Sequence, residues 1–148
     1  MTEFSHINAA GEANMVDVSS KSSNLREARA EVYVLLNSQA IGLIQRGDHH
    51  KGDIFGVSRV AGIMAAKRTS DLIPLCHPLP ITGAKVTIAI DDALPGLNVS
   101  ARVKTTGKTG VEMEALTAVS VACLTIYDML KAVDKAMIID NIELIEKS

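Results

Sequence analysis

An α+β domain of ferredoxin-like kind, an antiparallel sheet with helices packed on one face, is the fold that this 148-residue sequence predicts. Three observations lead there. In "REARAEVYVLL", Ala28, Ala30, Val32, Val34 and Leu36 share one parity, as along a strand with one buried face. The stretches "AKVTIAIDD" and "LNVSARVKT" alternate at period two on either side of "ALPG", which predicts a hairpin. "VEMEALTAVSVACLTIYDMLKAV" is apolar around most of a helical circumference, and so predicts a buried helix.

Taken in chain order, residues 1–24 are rich in Ser, Asn, Ala and Gly without sustained periodicity, and are expected to form an arm that stays mobile until something binds it. Residues 25–148 are expected to form a single α+β domain. Its first strand begins near Arg26, although Leu25 to Leu36 can also be written as a helix. "SQAIGLIQRG" predicts a short helix stopped by Gly47, and "HHKGD" a turn. "DIFGVSRVAGIMAAKR" predicts a helix with an apolar face of Ile54, Val57, Ala61, Met64 and Ala65. The hairpin and long helix follow, and "MIIDNIELIEK" is the last strand. The order is β-α-α-β-β-α-β.

Composition narrows the function. Only 3% of residues are aromatic and none is Trp, which argues against the stacking platforms of single-strand nucleic-acid binders. The net charge of −2 lacks the basic footprint of nucleic-acid binding. Cys76 and Cys123 lie in apolar surroundings without CxxC spacing, as buried reduced thiols do. The first residues have no basic segment followed by an apolar one, and no apolar run approaches the ~18 residues of a membrane span. A cytoplasmic protein with no membrane partner is expected.

Four stretches could carry chemistry. "DLIPLCHPLP" holds three of the four prolines, which stiffen the backbone around His77; this suits an aimed side chain and a structural elbow alike. "TTGKTG" fails as a phosphate loop, because the glycine required five residues before Gly107 is Arg102. Thr109 and Glu112 have the spacing of a capping box at the start of the long helix. Lys108 and free first-turn amides could instead meet an anion, and Glu112 with Glu114 could receive the N–H donors of a guanine-like ring. Asp128 and Lys131 stand three apart on one helix face, as a surface ion pair or as a partly buried acid–base pair. "DHHKGD" offers His49, His50 and Asp53 as possible metal ligands, but adjacent histidines rarely reach one centre and Lys51 is a poor neighbour for a cation. Lys51, Lys67, Lys108 and Lys131 with His77 and several carboxylates suit a phosphorylated molecule handled by proton transfer.

"HINAAGEANMVDVSSK", "HHKGD", "AAKRTSDLIPLCHPL" and "TGKTGVEMEALTAVSVACLTIYDMLKAVDK", in this order and spacing, closely resemble the cyclic pyranopterin monophosphate synthase family, the molybdenum cofactor biosynthesis protein C family. The resemblance covers nearly the whole chain. It implies a ferredoxin-like subunit in a hexamer, a trimer of dimers, with active sites at subunit interfaces. It implies a lyase that converts 3′,8-cyclo-7,8-dihydro-GTP to cyclic pyranopterin monophosphate with release of pyrophosphate. Carried over by position, substrate contacts fall on Leu75, Cys76, His77, Met113 and Glu114; the catalytic acid falls on Asp128, and the essential lysines on Lys51 and Lys131. Arg26, Lys67, Thr109 and Glu112 match positions lining the family's pocket. No cofactor and no protein-bound metal are expected, Mg²⁺ being at most a companion of the triphosphate. Family members often continue with a Gly-Gly-Lys-Ser-Gly tail where this sequence has Glu146-Lys147-Ser148, so closure over phosphate is expected to rely on the arm or on Lys147. The alternative from another class is a non-catalytic nucleotide-binding regulatory oligomer. An acid beside phosphates serves a catalyst better than a sensor.

Overall fold

The structure, a computed structural model, describes residues 4–47 and 53–148. Its elements run β1 (Asn24–Leu35), α1 (Ser38–Arg46), α2 (Ile54–Lys67), a single-turn α3 (Thr69–Leu72), β2 (Ile81–Asp91), β3 (Gly96–Gly107), α4 (Glu112–Leu130) and β4 (Ile138–Lys147). The sheet order is β2-β3-β1-β4 with every pairing antiparallel, which is the ferredoxin-like arrangement. α3 is an addition to the expected order.

β1 is the strand reading, not the helical one. Ala28, Ala30, Val32 and Val34 are fully buried, and across the β1–β3 register they meet Val103, Ala101, Val99 and Leu97. α4 lies over this face through Ala115, Ala118, Val119, Ala122, Cys123 and Ile126. The opposite face is polar: Arg102 contacts Glu27 at 2.6 Å and Glu146 at 2.7 Å, and Arg29 contacts Glu146 at 3.1 Å. By length and composition α4 is apolar enough to cross a membrane, contrary to the sequence reading, yet its apolar face is buried against the sheet and α2.

α1 ends as expected at Gly47, whose φ of 66° is a conformation glycine adopts without steric cost. α2 corrects the expected face. Val57 and Met64 are 47% and 49% exposed, and the buried positions are Ile54, Ser58, Gly62, Ala65 and Ala66. Small residues face inward because α2 approaches α4 closely: a Cβ on Gly62 would come within 3.0 Å of the Ala118 carbonyl oxygen. Beyond α4, buried Asp134 accepts from the backbone N–H groups of Asn37 (2.7 Å) and Ala136 (2.9 Å), which ties that connection to the start of α1.

Candidate active site

The proline-rich elbow between α3 and β2 is pinned at both ends. The Cys76 N–H donates to the Ile73 carbonyl at 3.1 Å, and the Thr105 hydroxyl of β3 donates to the Pro80 carbonyl at 2.7 Å. Prolines restrict the backbone between these bonds. This segment faces the turn that leads from β3 into α4, and a cavity of about 600 Å³ lies between them. Leu75, Cys76 and His77 line it from the elbow, and Thr109, Glu112 and Met113 line it from the turn and the first turn of α4. Six of the expected binding residues therefore share one cavity.

The His77 Nε2 lies 2.6 Å from the Val16 carbonyl oxygen. A carbonyl only accepts, so Nε2 carries the hydrogen and, in the neutral ring, Nδ1 is left as an acceptor. Glu114 is 2% exposed and stands behind Cys76, outside the cavity lining. Its Oε2 accepts from the Cys76 thiol at 3.7 Å, and its Oε1 has no hydrogen-bond partner among the described residues. Burial raises the Glu114 carboxyl above its ordinary range, and the Glu112 charge adds to that rise. Burial, then the neighbouring Glu114 and Glu112 charges, pushes the Cys76 thiol up to about 11, so at neutral pH it is a hydrogen-bond donor and no thiolate nucleophile.

Other expected residues lie elsewhere. The Arg26 Nε donates to the Gly107 carbonyl at 3.3 Å, beneath the turn entering α4. Lys67 is the last residue of α2, exposed and outside the cavity lining. Lys51, His49 and His50 lie outside the described residues; Asp53 is the exposed N-cap residue of α2. Among the described residues no three of His, Cys, Asp and Glu converge as a metal-ligand set.

The capping box does not form. Val111 is the N-cap of α4 without a side-chain cap bond, so Glu112 is already the first helical residue and Thr109 is two residues too early. Asp128 and Lys131 do pair, at 2.9 Å, but their side chains are 64% and 59% exposed, not partly buried. They sit at the far end of α4 on its solvent side. The hydrogen bond from Lys131 to Asp128, and then the Asp128 charge, raise the lysine's pKa. Sixteen residues separate Glu112 from Asp128, about 24 Å along the helix, so one chain holds the binding cavity and the acid–base pair at opposite ends.

The cavity also has walls that the assigned residues omit. His6 and Ala13 of the N-terminal arm line it, with Ile73, Pro74, Leu79 and Gly110. The arm has no hydrophobic periodicity, so its only advance signals were Asn8 and Gly11, residues that favour tight turns.

A curated relative from Methylobacterium sp. (strain 4-46), named cyclic pyranopterin monophosphate synthase, is 56% identical over 148 residues, covering 100% of this chain and 92% of that protein. The model of the MoaC family matches residues 15–148. The chain belongs to the MoaC family.

Proposed function

We propose that this chain is a cyclic pyranopterin monophosphate synthase of molybdenum cofactor biosynthesis, a cytoplasmic lyase that converts the cyclic GTP derivative to cyclic pyranopterin monophosphate and releases pyrophosphate. The observation that carries this reading is the single cavity lined by Leu75, Cys76, His77, Thr109, Glu112 and Met113 in a chain that matches a synthase of that name along its whole length.

The reaction opens and recloses a purine-derived ring, and a ribose hydroxyl then attacks the α-phosphate. Each step moves protons, and the departing pyrophosphate calls for positive charge. The cavity supplies orientation. Its apolar residues Leu75, Leu79 and Met113 hold a flat ring, while the Glu112 carboxylate and the His77 ring offer polar contacts at its edge. Asp128 and Lys131 supply the other requirement. With Asp128 beside it, Lys131 is an ammonium at neutral pH, available to phosphate and able to donate a proton as charge develops.

About 24 Å of helix between the two groups is too far for one small molecule to bridge within a chain. Two chains, each giving its cavity to the other's Asp128 and Lys131, complete the site in this reading, within a trimer of dimers. No metal enters these steps; Mg²⁺ would be carried by the triphosphate.

Incubating the purified protein with the cyclic GTP derivative, while assaying pyrophosphate and pterin together, tests the proposal. Equimolar appearance of both is expected. Tight binding without either product would indicate the non-catalytic nucleotide-binding oligomer.

A further inference from the structure

No residue of the segment "HINAAGEAN" has been given a part in binding or catalysis above, yet the segment is built. Asn8 organises it: its Oδ1 accepts from the backbone N–H groups of Ala10 and Glu12, both at 3.0 Å. The Asn8 N–H donates to the Glu12 carbonyl at 3.0 Å, the Gly11 N–H to the Asn8 carbonyl at 3.0 Å, and the Asn14 N–H to the His6 carbonyl at 2.7 Å. Gly11 takes the positive φ of 80° that closes the turn, and Ile7 bridges Ala13. The result is a small hairpin stiffened from within.

The segment just after that hairpin is fastened by His77, which lines the cavity, and by Lys108, the neighbour of the lining residue Thr109. His77 holds the Val16 carbonyl at 2.6 Å, and the Lys108 ammonium holds the Ser19 carbonyl at 3.2 Å. Asp17, between them, accepts from the Ser19 N–H at 2.9 Å. Its carboxyl is held below the ordinary range first by that backbone bond and a bond to the Ser19 hydroxyl, with Lys108 and His77 adding attraction. His6 and Ala13 face the cavity from this hairpin, and the His6 ring makes no hydrogen bond among the described residues.

We propose that the hairpin of residues 6–14 is the outer wall of the substrate cavity and that His6 contacts the phosphorylated, purine-derived substrate. The inference rests on the proposed function for its ligand. His77 carries the hydrogen bond to Val16, so His6 is the lining imidazole with both ring nitrogens available to a phosphate or ribose hydroxyl.

Two full-length variants, His6→Ala and Asn8→Ala, test it with separate readouts. Asn8 lines no part of the cavity, so its loss acts only through the hairpin. The ligand-free readout is iodoacetamide labelling of Cys76 at alkaline pH, where part of this high-pKa thiol is thiolate, since Cys123 is fully buried. Asn8→Ala is expected to speed Cys76 labelling severalfold, because the wall over it loosens. His6→Ala is expected to raise KM for the cyclic GTP derivative by about tenfold, the size of one lost hydrogen bond to a charged group, with kcat largely kept. An unchanged labelling rate in Asn8→Ala, or an unchanged KM in His6→Ala, overturns the proposal. A wild-type protein that releases no pyrophosphate would overturn the proposed function instead, and labelling would still decide whether the hairpin walls the cavity.

Discussion

The Cys76 thiol donates to the Glu114 carboxylate across 3.7 Å, and this contact joins the proline elbow to the first turn of α4. The two residues are 38 positions apart in sequence, and the cavity lies directly beside their meeting point.

Removing that donor takes the side-chain partner from the Glu114 Oε2, beside an Oε1 that has none among the described residues. Cys76→Ala is expected to cost about 1–3 kcal/mol, the penalty of an unsatisfied buried group. Cys76→Ser keeps a donor hydrogen and is expected to lose clearly less. Urea unfolding of both variants checks the order; equal losses would show that the thiol acts only by its volume.

Glu114 also makes a pH prediction with a definite sign. Its carboxyl is harder to ionise folded than unfolded, chiefly because burial penalises the charge. Its contribution to stability is therefore fully present below the ordinary value of 4.5 and is lost as pH rises through the raised folded value. Glu114→Gln removes the ionisation, so its thermal midpoint relative to wild type is expected to climb as pH rises from the ordinary value of 4.5 through the raised folded value and then level off. A difference independent of pH would contradict the raised pKa.

Gly62 tests the packing of α2 on α4. Glycine to alanine in a helix interior ordinarily stabilises by up to about 1 kcal/mol. Here the new Cβ meets the Ala118 carbonyl oxygen and the Val86 side chain at 3.0 Å and the Ala122 Cβ at 3.4 Å. Gly62→Ala is expected to destabilise by about 1–3 kcal/mol through overpacking, read by chemical denaturation. A stabilised variant would show that the two helices part easily.

These packing details mark where the sequence is legible. The parity of Ala28 to Val34 and the alternation around "ALPG" announced the sheet, because a half-buried strand writes its environment at period two. On α2 the expected face holds at Ile54 and Ala65 only, since periodicity ranks residues by hydrophobicity, whereas close helix approach selects Ser58 and Gly62 for size. The "TGVE" spacing fits a capping box, but only backbone conformation decides which residue is the N-cap, and it is Val111. Family resemblance named His77, Cys76, Thr109 and Met113, and the structure places these four on one cavity. The cavity wall at His6 was not, because the hairpin is held by Asn8 and backbone bonds that carry no hydrophobic pattern.

Lysine chemistry separates charge from proton transfer. Lys131→Arg keeps the cation near Asp128 but cannot release a proton near neutral pH. Lys131→Arg and Lys51→Arg are each expected to lower kcat by at least about a hundredfold, within the usual range for a lost general acid or base, with an unchanged thermal midpoint. Steady-state kinetics check this. Near-normal kcat in either variant would reduce that lysine to an electrostatic role.

Pairing two disabled chains reads the division of the site most directly. His77→Ala damages the cavity at one end of α4, and Asp128→Ala removes the acid at the other. Each alone is expected to be nearly inactive. Co-expressed and purified as mixed oligomers, random pairing in symmetric dimers leaves about one site in four with both halves intact. Pyrophosphate release from the cyclic GTP derivative is therefore expected to recover to about a quarter of the wild-type rate. Activity no higher than the sum of the two single variants would contradict a site completed by two chains.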